Sequence, residues 1–267
     1  MTRIATVSYL NARPLIDGLE HRAGIELIRR VPSRLLETLE AGDAAIALCP
    51  TIDYQRSTCP LEIVPAGAIG CNGPALTVKL FSRTPIDDIG EIAVDGDSHT
   101  SVALLSVVLS RRYGIRPTLR PLDRGPGRSD PDALLLIGDK VITHPPDSDG
   151  FPHRLDLGAA WKELTGRPFV FATWMTCGGS DLGDAPALLD RVRRDNGRRI
   201  AEIAVRHAAP GGWPEDLAAR YLSRNLQYGL GSEERAAMEE FWRLCRECGV
   251  IEKQRPLRLH ASDGLEV

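Results

Sequence analysis

No stretch of this sequence stays apolar for the ~20 residues that a helix needs to cross a bilayer. The start, Met1-Thr2-Arg3-Ile4, runs straight into a strand-like pattern with no apolar leader or cleavage site, so a cytoplasmic location and no membrane partner are expected. An excess of one charge sign is also missing. The formal net charge is -3, which gives no basic field to mark a nucleic-acid binder. The Arg191 to Arg194 cluster reads as a solvated helix face. Six cysteines in a chain this size make no disulfide framework. Cys49 and Cys71 lie in apolar or turn contexts and read as reduced and structural. Cys245-x-x-Cys248 has no second pair to complete a zinc ribbon. A G-x-S-x-G elbow, a Walker loop, H-E-x-x-H and a dinucleotide fingerprint are all absent, and the histidines are scattered. Neither metal nor cofactor is expected, and no internal repeat stands out.

What is present is an alternation of strand and helix patterns. Residues 3–9 and 25–31 read as strands around a short helix from Asn11 to Glu20. Pro32 pre-sets the first turn of the next helix, which stops at Gly42. Ala44 to Cys49 is wholly apolar, as in a strand buried on both faces of a parallel sheet. Residues 61–70 and 75–83 read as strands. A second series follows: strand 91–94, helix 100–113, strands 118–122 and 134–137, and strand 169–174. The segments 125–132 and 144–150 read as loops. After Asp184 the pattern is helical, and these helices are expected to pack back on the first unit. Strands separated by helices imply right-handed crossovers. The expectation is an α/β chain of two domains, 1–83 plus 173–267 and 84–172, with a ligand cleft between them.

In open α/β sheets the ligand site lies at the carboxyl ends of strands, and three places stand out there. The first is Ser8-Tyr9-Leu10-Asn11-Ala12-Arg13-Pro14. Asn11 can cap the helix that Pro14 helps to start, or offer its amide to a ligand at the helix's positive end. Spacing leaves open whether Arg13 faces ligand or solvent. The second is Asp97-Ser98-His99-Thr100-Ser101, where three hydroxyl residues surround one helix start and exceed what a cap needs. The third is Asn72-Gly73-Pro74-Ala75-Leu76-Thr77-Val78-Lys79, a turn followed by a strand on which Thr77 and Lys79 share a face. Asp139, after the strand 134–137, can cap a helix or receive a substrate hydroxyl. Residue chemistry alone leads to a small anionic ligand in a cleft.

The same residues resemble a known family in order along the chain: Val7-Ser8-Tyr9-Leu10-Asn11-Ala12-Arg13-Pro14-Leu15, Val31-Pro32-Ser33-Arg34-Leu35, Ala45 to Pro50, Gly73-Pro74 with Val78 to Ser82, Thr100 to Leu104, Leu135 to Asp139, and Phe169 to Ala172 with Trp174. The family is the chorismate dehydratases of the futalosine route to menaquinone. The resemblance implies a two-domain periplasmic-binding-protein-like (type II) fold. It implies dehydration of chorismate to 3-[(1-carboxyvinyl)oxy]benzoate without metal or organic cofactor. Asn11 matches an active-site asparagine of that family. Thr77 stands where its serine is expected, keeping the hydroxyl and adding a methyl. The expected catalytic residues are therefore Asn11 and Thr77. The expected substrate-binding residues are Ser8, Tyr9, Arg13, Gly73, Lys79, Thr100, Ser101, Asp139 and Trp174. Two alternatives stand beside this reading: a dihydroxynaphthoate synthase of the same route, and a non-enzymatic binding protein for a small carboxylate. The partner expected is the small anionic substrate. The oligomeric state is left open, with a homo-oligomer among the options.

Overall fold

A computed structural model of the chain describes residues 1–122 and 131–261. Two sheets organise it. The first contains β1 (Thr2–Thr6), β2 (Ile25–Arg29), β3 (Ile46–Pro50) and β4 (Leu61–Cys71). The second contains β5 (Val78–Ser82), β6 (Glu91–Val94), β7 (Thr118–Pro121), β8 (Ala133–Ile137) and β9 (His153–Asp156). The chain then returns to the first sheet with β10 (Phe169–Cys177) and β11 (Leu226–Gln227). The strand orders are β11-β4-β10-β3-β1-β2 and β7-β6-β8-β5-β9. In the first sheet β1 runs parallel to β2 and β3, while β10 is antiparallel to β3 and β4. Every residue of the apolar run β3 is buried, as a central strand covered on both faces requires.

The strand assignments move both expected domain boundaries. The segment 78–82 belongs to the second sheet, so the first crossing lies in 72–77 rather than near 83. The return runs through the helix Leu157–Thr165 to β10, before 172. Alternation of apolar residues marks a strand but does not say which sheet it joins. The expected helix from Asn11 to Glu20 is broken into a 3-10 turn at Leu10–Ala12, one helical turn at Arg13–Ile16 and a second 3-10 turn at Leu19–His21. The C-terminal region has four α-helical segments, Ala185–Gly197, Ile200–Ala208, Glu215–Arg220 and Ser232–Glu247, with β11 between the last two. The expected loop at 125–132 lies, apart from its last two residues, outside the described residues.

The core is continuous across the return crossing. Trp161, Phe169 and Phe241 meet edge to face with centroids 4.9–5.9 Å apart, and Tyr54 stacks on Trp242 at 5.0 Å. Helix Ser232–Glu247 packs on β10 and on the helix His99–Val108, so it touches both units.

The crossing at 72–77 is held from behind. An added Cβ on Gly158 would lie 2.5 Å from the Gly73 carbonyl oxygen, 2.7 Å from Cys71 Sγ and 2.8 Å from Ala75 N. Only a residue without Cβ lets this helix start approach the loop. Gly158→Ala is expected to destabilise the protein by roughly 1–3 kcal/mol through overpacking, measured by denaturant unfolding. Gly90→Ala, where no heavy atom comes within 4 Å of the new Cβ, is the matched control. Equal stability of the two variants would contradict the close approach.

Candidate functional site

A cavity lies between the sheets at the carboxyl ends of β1, β3 and β4 and the start of β10. Its walls include Val7, Leu48, Pro50, Ile69, Phe171 and Ala172 from the first unit. Val78, Ser98, Ser101, Ile137 and Gly138 come from the second. Thr77 enters from the crossing, and Tyr221 and Leu226 from the C-terminal region. Its volume is about 60 Å³, room for a few water molecules. That space is narrower than a ring-sized ligand needs. The wall carries no Asp, Glu, His, Lys or Arg among the described residues. Its polar groups are hydroxyls and an amide: Tyr9, Asn11, Thr77, Ser98, Ser101 and Tyr221.

Thr77 ends the crossing loop. Asp156 fixes that loop by accepting the N–H groups of Ala75 and Leu76, each at 2.8 Å, and Leu76 takes the left-handed conformation at φ 65°. Thr77 Oγ1 is 2.7 Å from the Tyr221 hydroxyl. Tyr221 opens a π-helical turn, Tyr221–Asn225, and stacks on Trp213 at 4.9 Å. The turn is tied to the same loop, because Asn225 Nδ2 donates to the Pro74 carbonyl at 3.0 Å. Burial holds the Tyr221 phenol well above its usual range, so it stays a proton-bearing donor. Asn11 Oδ1 is buried and without a hydrogen-bond partner, an unmet acceptor at the cavity wall.

The second-unit wall is the start of the helix His99–Val108. Ser98 caps it by accepting the Ser101 N–H at 3.3 Å, and the two hydroxyls are 3.0 Å apart. Beside them, Tyr9 donates to Asp97 at 3.5 Å, and burial and that carboxylate push its phenol up to about 12. Lys140 is ion-paired with Asp95 and Asp97. Burial alone would lower the ammonium, but these two carboxylates outweigh it and hold it above its ordinary value.

Of the expected residues, Tyr9, Asn11, Thr77 and Ser101 meet at the cavity. Asp139 follows the lining Gly138, and its side chain turns to the first unit, accepting the Leu10 N–H at 3.4 Å rather than capping its own helix. The others do not line the cavity. Asn11 is not the helix cap it could have been, since it lies inside the 3-10 turn and Ala12 precedes the helix. Ser8 is exposed, and Arg13 folds back onto the Ser8 carbonyl at 3.3 Å. Thr100 is fully buried and accepts the Ile52 N–H at 3.1 Å, away from the cavity. Gly73 faces Gly158. Thr77 precedes β5, so strand alternation does not place Lys79 with it, and Val78 lines the cavity instead. Trp174 is buried within β10 opposite Leu48. Tyr221 and Leu226 escaped the sequence reading. Tyr221 meets Thr77 across 144 positions, and no local pattern signals that contact.

The model of a menaquinone biosynthesis family matches residues 2–247. The chain belongs to that family. A chorismate dehydratase of Thermus thermophilus is 28% identical over 249 residues, covering 87% of this chain and 91% of that protein. Among solved structures, a protein of Archaeoglobus fulgidus superposes with a TM-score of 0.70 at 18% identity, covering 93% of this chain and 98% of that one. The periplasmic aliphatic sulphonate binding protein of Escherichia coli superposes with a TM-score of 0.64 at 17% identity, covering 94% of each chain. The fold is therefore the two-domain periplasmic-binding-protein type expected from the sequence. No described helix is long and apolar enough to cross a membrane.

The cleft's electrostatics give a stability test. Burial raises the Asp139 carboxyl above its ordinary value, and its polar partners recover only part of that rise. Such a group is protonated more readily in the folded chain than in the unfolded one. Its contribution to stability is greatest at acid pH and falls as pH rises from the unfolded carboxyl value through the raised folded one. Asp139→Asn keeps an acceptor for Leu10 N–H and abolishes that fall. Thermal midpoints taken from acid to neutral pH should decline less for the variant than for the parent, and parallel curves would contradict the raised value.

Proposed function

We propose that the protein dehydrates chorismate to 3-[(1-carboxyvinyl)oxy]benzoate in menaquinone biosynthesis. The observation that carries this reading is a narrow interdomain cavity whose polar wall is uncharged hydroxyls and an amide, in a chain of the menaquinone family. A substrate with two carboxylates meets N–H and hydroxyl groups there, strongest at the start of the helix His99–Val108, where the Ser98 and Ser101 hydroxyls cluster. The reaction removes a proton from C3 and the hydroxyl from C4, makes an aromatic ring, and is redox-neutral. The C3 proton is vinylogous to the ring carboxylate, so its loss spreads charge towards that group. Preorganised donors stabilise that charge without reorganising.

The wall supplies no ionisable base, and both tyrosines that reach it are held protonated. The substrate's own enolpyruvyl carboxylate is then the proton acceptor, and the protein contributes position and electrostatics. In this reading Thr77, backed by Tyr221, and Asn11 hydrogen-bond the leaving hydroxide. Tyr221 acts through Thr77 and is a positioning residue. A cytoplasmic location and the absence of a nucleic-acid or membrane partner belong to the same reading.

Incubation with chorismate, followed by mass spectrometry, should show loss of one water and growth of an aromatic product, with or without a chelator. Intact chorismate after prolonged incubation would overturn the assignment and favour a carboxylate-binding protein. Asn11→Asp should fold normally and lose on the order of a hundredfold or more in turnover, the usual effect of removing one preorganised donor, because a carboxylate would face an anionic substrate. Tyr221→Phe should lower kcat with little change in KM and no new titration in the pH profile. Unchanged kcat would remove Tyr221 from the site.

A further inference from the structure

The first unit carries a pair of thiols that the cleft chemistry does not use. Cys59 lies just before β4 and Cys177 ends β10, and their Sγ atoms are 3.1 Å apart. Both are free and half-buried. The backbone on each side is pinned. Gly178 N–H donates to the Pro60 carbonyl at 2.7 Å, and Cys177 is in register with Leu61. Glu40 fixes the turn before Cys59 by accepting Ser57 Oγ at 2.7 Å, Thr58 N–H at 2.8 Å and Thr58 Oγ1 at 3.0 Å. Cys177 also lines an open cavity of about 760 Å³, with Glu40 and the segment 180–185 in its wall. This cavity is at the opposite end of the first sheet from the cleft, where β1 begins and β10 ends, and it admits a small molecule to Cys177.

We propose that Cys59 and Cys177 form a reversible disulfide site, closed by exchange with a low-molecular-weight disulfide. One protein thiolate attacks the small disulfide, forming a mixed disulfide and releasing one small thiol. The second protein thiolate then attacks the bound sulfur and releases the other small thiol. Two electrons pass from the protein thiols to the reagent, and the two protein thiol protons end on the released thiols. An S–S bond of about 2.05 Å requires the sulfurs to close by only ~1 Å from their present separation. Burial, the contact with Cys59 and the Glu40 charge push the Cys177 thiol up to about 12, so closure quickens as pH rises.

The full chain is incubated with oxidised glutathione, denatured, and its free thiols titrated. The count should fall from the six of the sequence to four, and a non-reducing peptide map should show Cys59 joined to Cys177. The crosslink spans 118 positions, so the thermal midpoint should rise by several degrees and return on reduction. Cys59→Ser and Cys177→Ser should each abolish the crosslink and the rise. The wild-type map decides the matter even if a variant folds poorly. Six remaining thiols, a persistent glutathione adduct, or a crosslink between Cys245 and Cys248 instead would overturn the proposal. The readouts use no substrate, so they stand apart from the assignment of the cleft.

Discussion

One carboxylate organises the crossing between the two units. Asp156 accepts the N–H groups of Ala75 and Leu76 on the crossing loop and those of Gly158 and Ala159 at the start of its own helix, at 2.8–3.1 Å. Hydrogen bonds to a charged group contribute about 1.5–3 kcal/mol each, enough to hold Leu76 in a left-handed backbone that costs of order 1–3 kcal/mol. The same cap draws Gly158 against Gly73. Thr77 follows Leu76 directly, so the aim of its hydroxyl at Tyr221 depends on this one side chain.

A few polar contacts bridge the two units, including His99 Nδ1 against the buried Asp53 carboxylate at 2.8 Å. Tyr9 to Asp97, Leu10 to Asp139, Ser33 to the Asp97 carbonyl and Ile52 to Thr100 each join the first unit to the second. These contacts contribute about 1 kcal/mol net where both groups are neutral and about 1.5–3 kcal/mol where a carboxylate accepts, few enough for the units to part and close again. Closure removes water from a wall that already lacks fixed charge, which strengthens each donor that remains. A cation in that wall would bind a dianion more tightly in the ground state. A wall of hydroxyls and N–H groups holds the substrate less firmly and favours charge that moves during the reaction.

The fold was legible because its signals are local. The apolar run at 46–50, the proline and glycine around the helix at 35–40 and the Ser98 cap all report on neighbouring residues. The ordered motifs then tied these elements to a family. The site was legible only where a residue's own position decides its role. Asn11 follows β1 and Ser101 lies in the first turn of its helix, while Thr77 ends the crossing loop just before β5. Thr100 failed because successive residues on a helix point in different directions, and its hydroxyl went to Ile52. The boundary at 83 failed because alternation does not name the sheet. Tyr221 was out of reach because its partner is distant in sequence and its own segment is an irregular π-turn.

The central claim is that the substrate ring lies between Asn11 and the Thr77–Tyr221 pair. A crystal structure of the Thr77→Val variant, grown with chorismate, tests it most directly. The account predicts density for the ring in the cleft, with one carboxylate at the Ser98–Ser101 helix start and the C4 hydroxyl facing Asn11 and position 77. Density in the open cavity beside Cys177, or a cleft left without ligand at saturating chorismate, would contradict it.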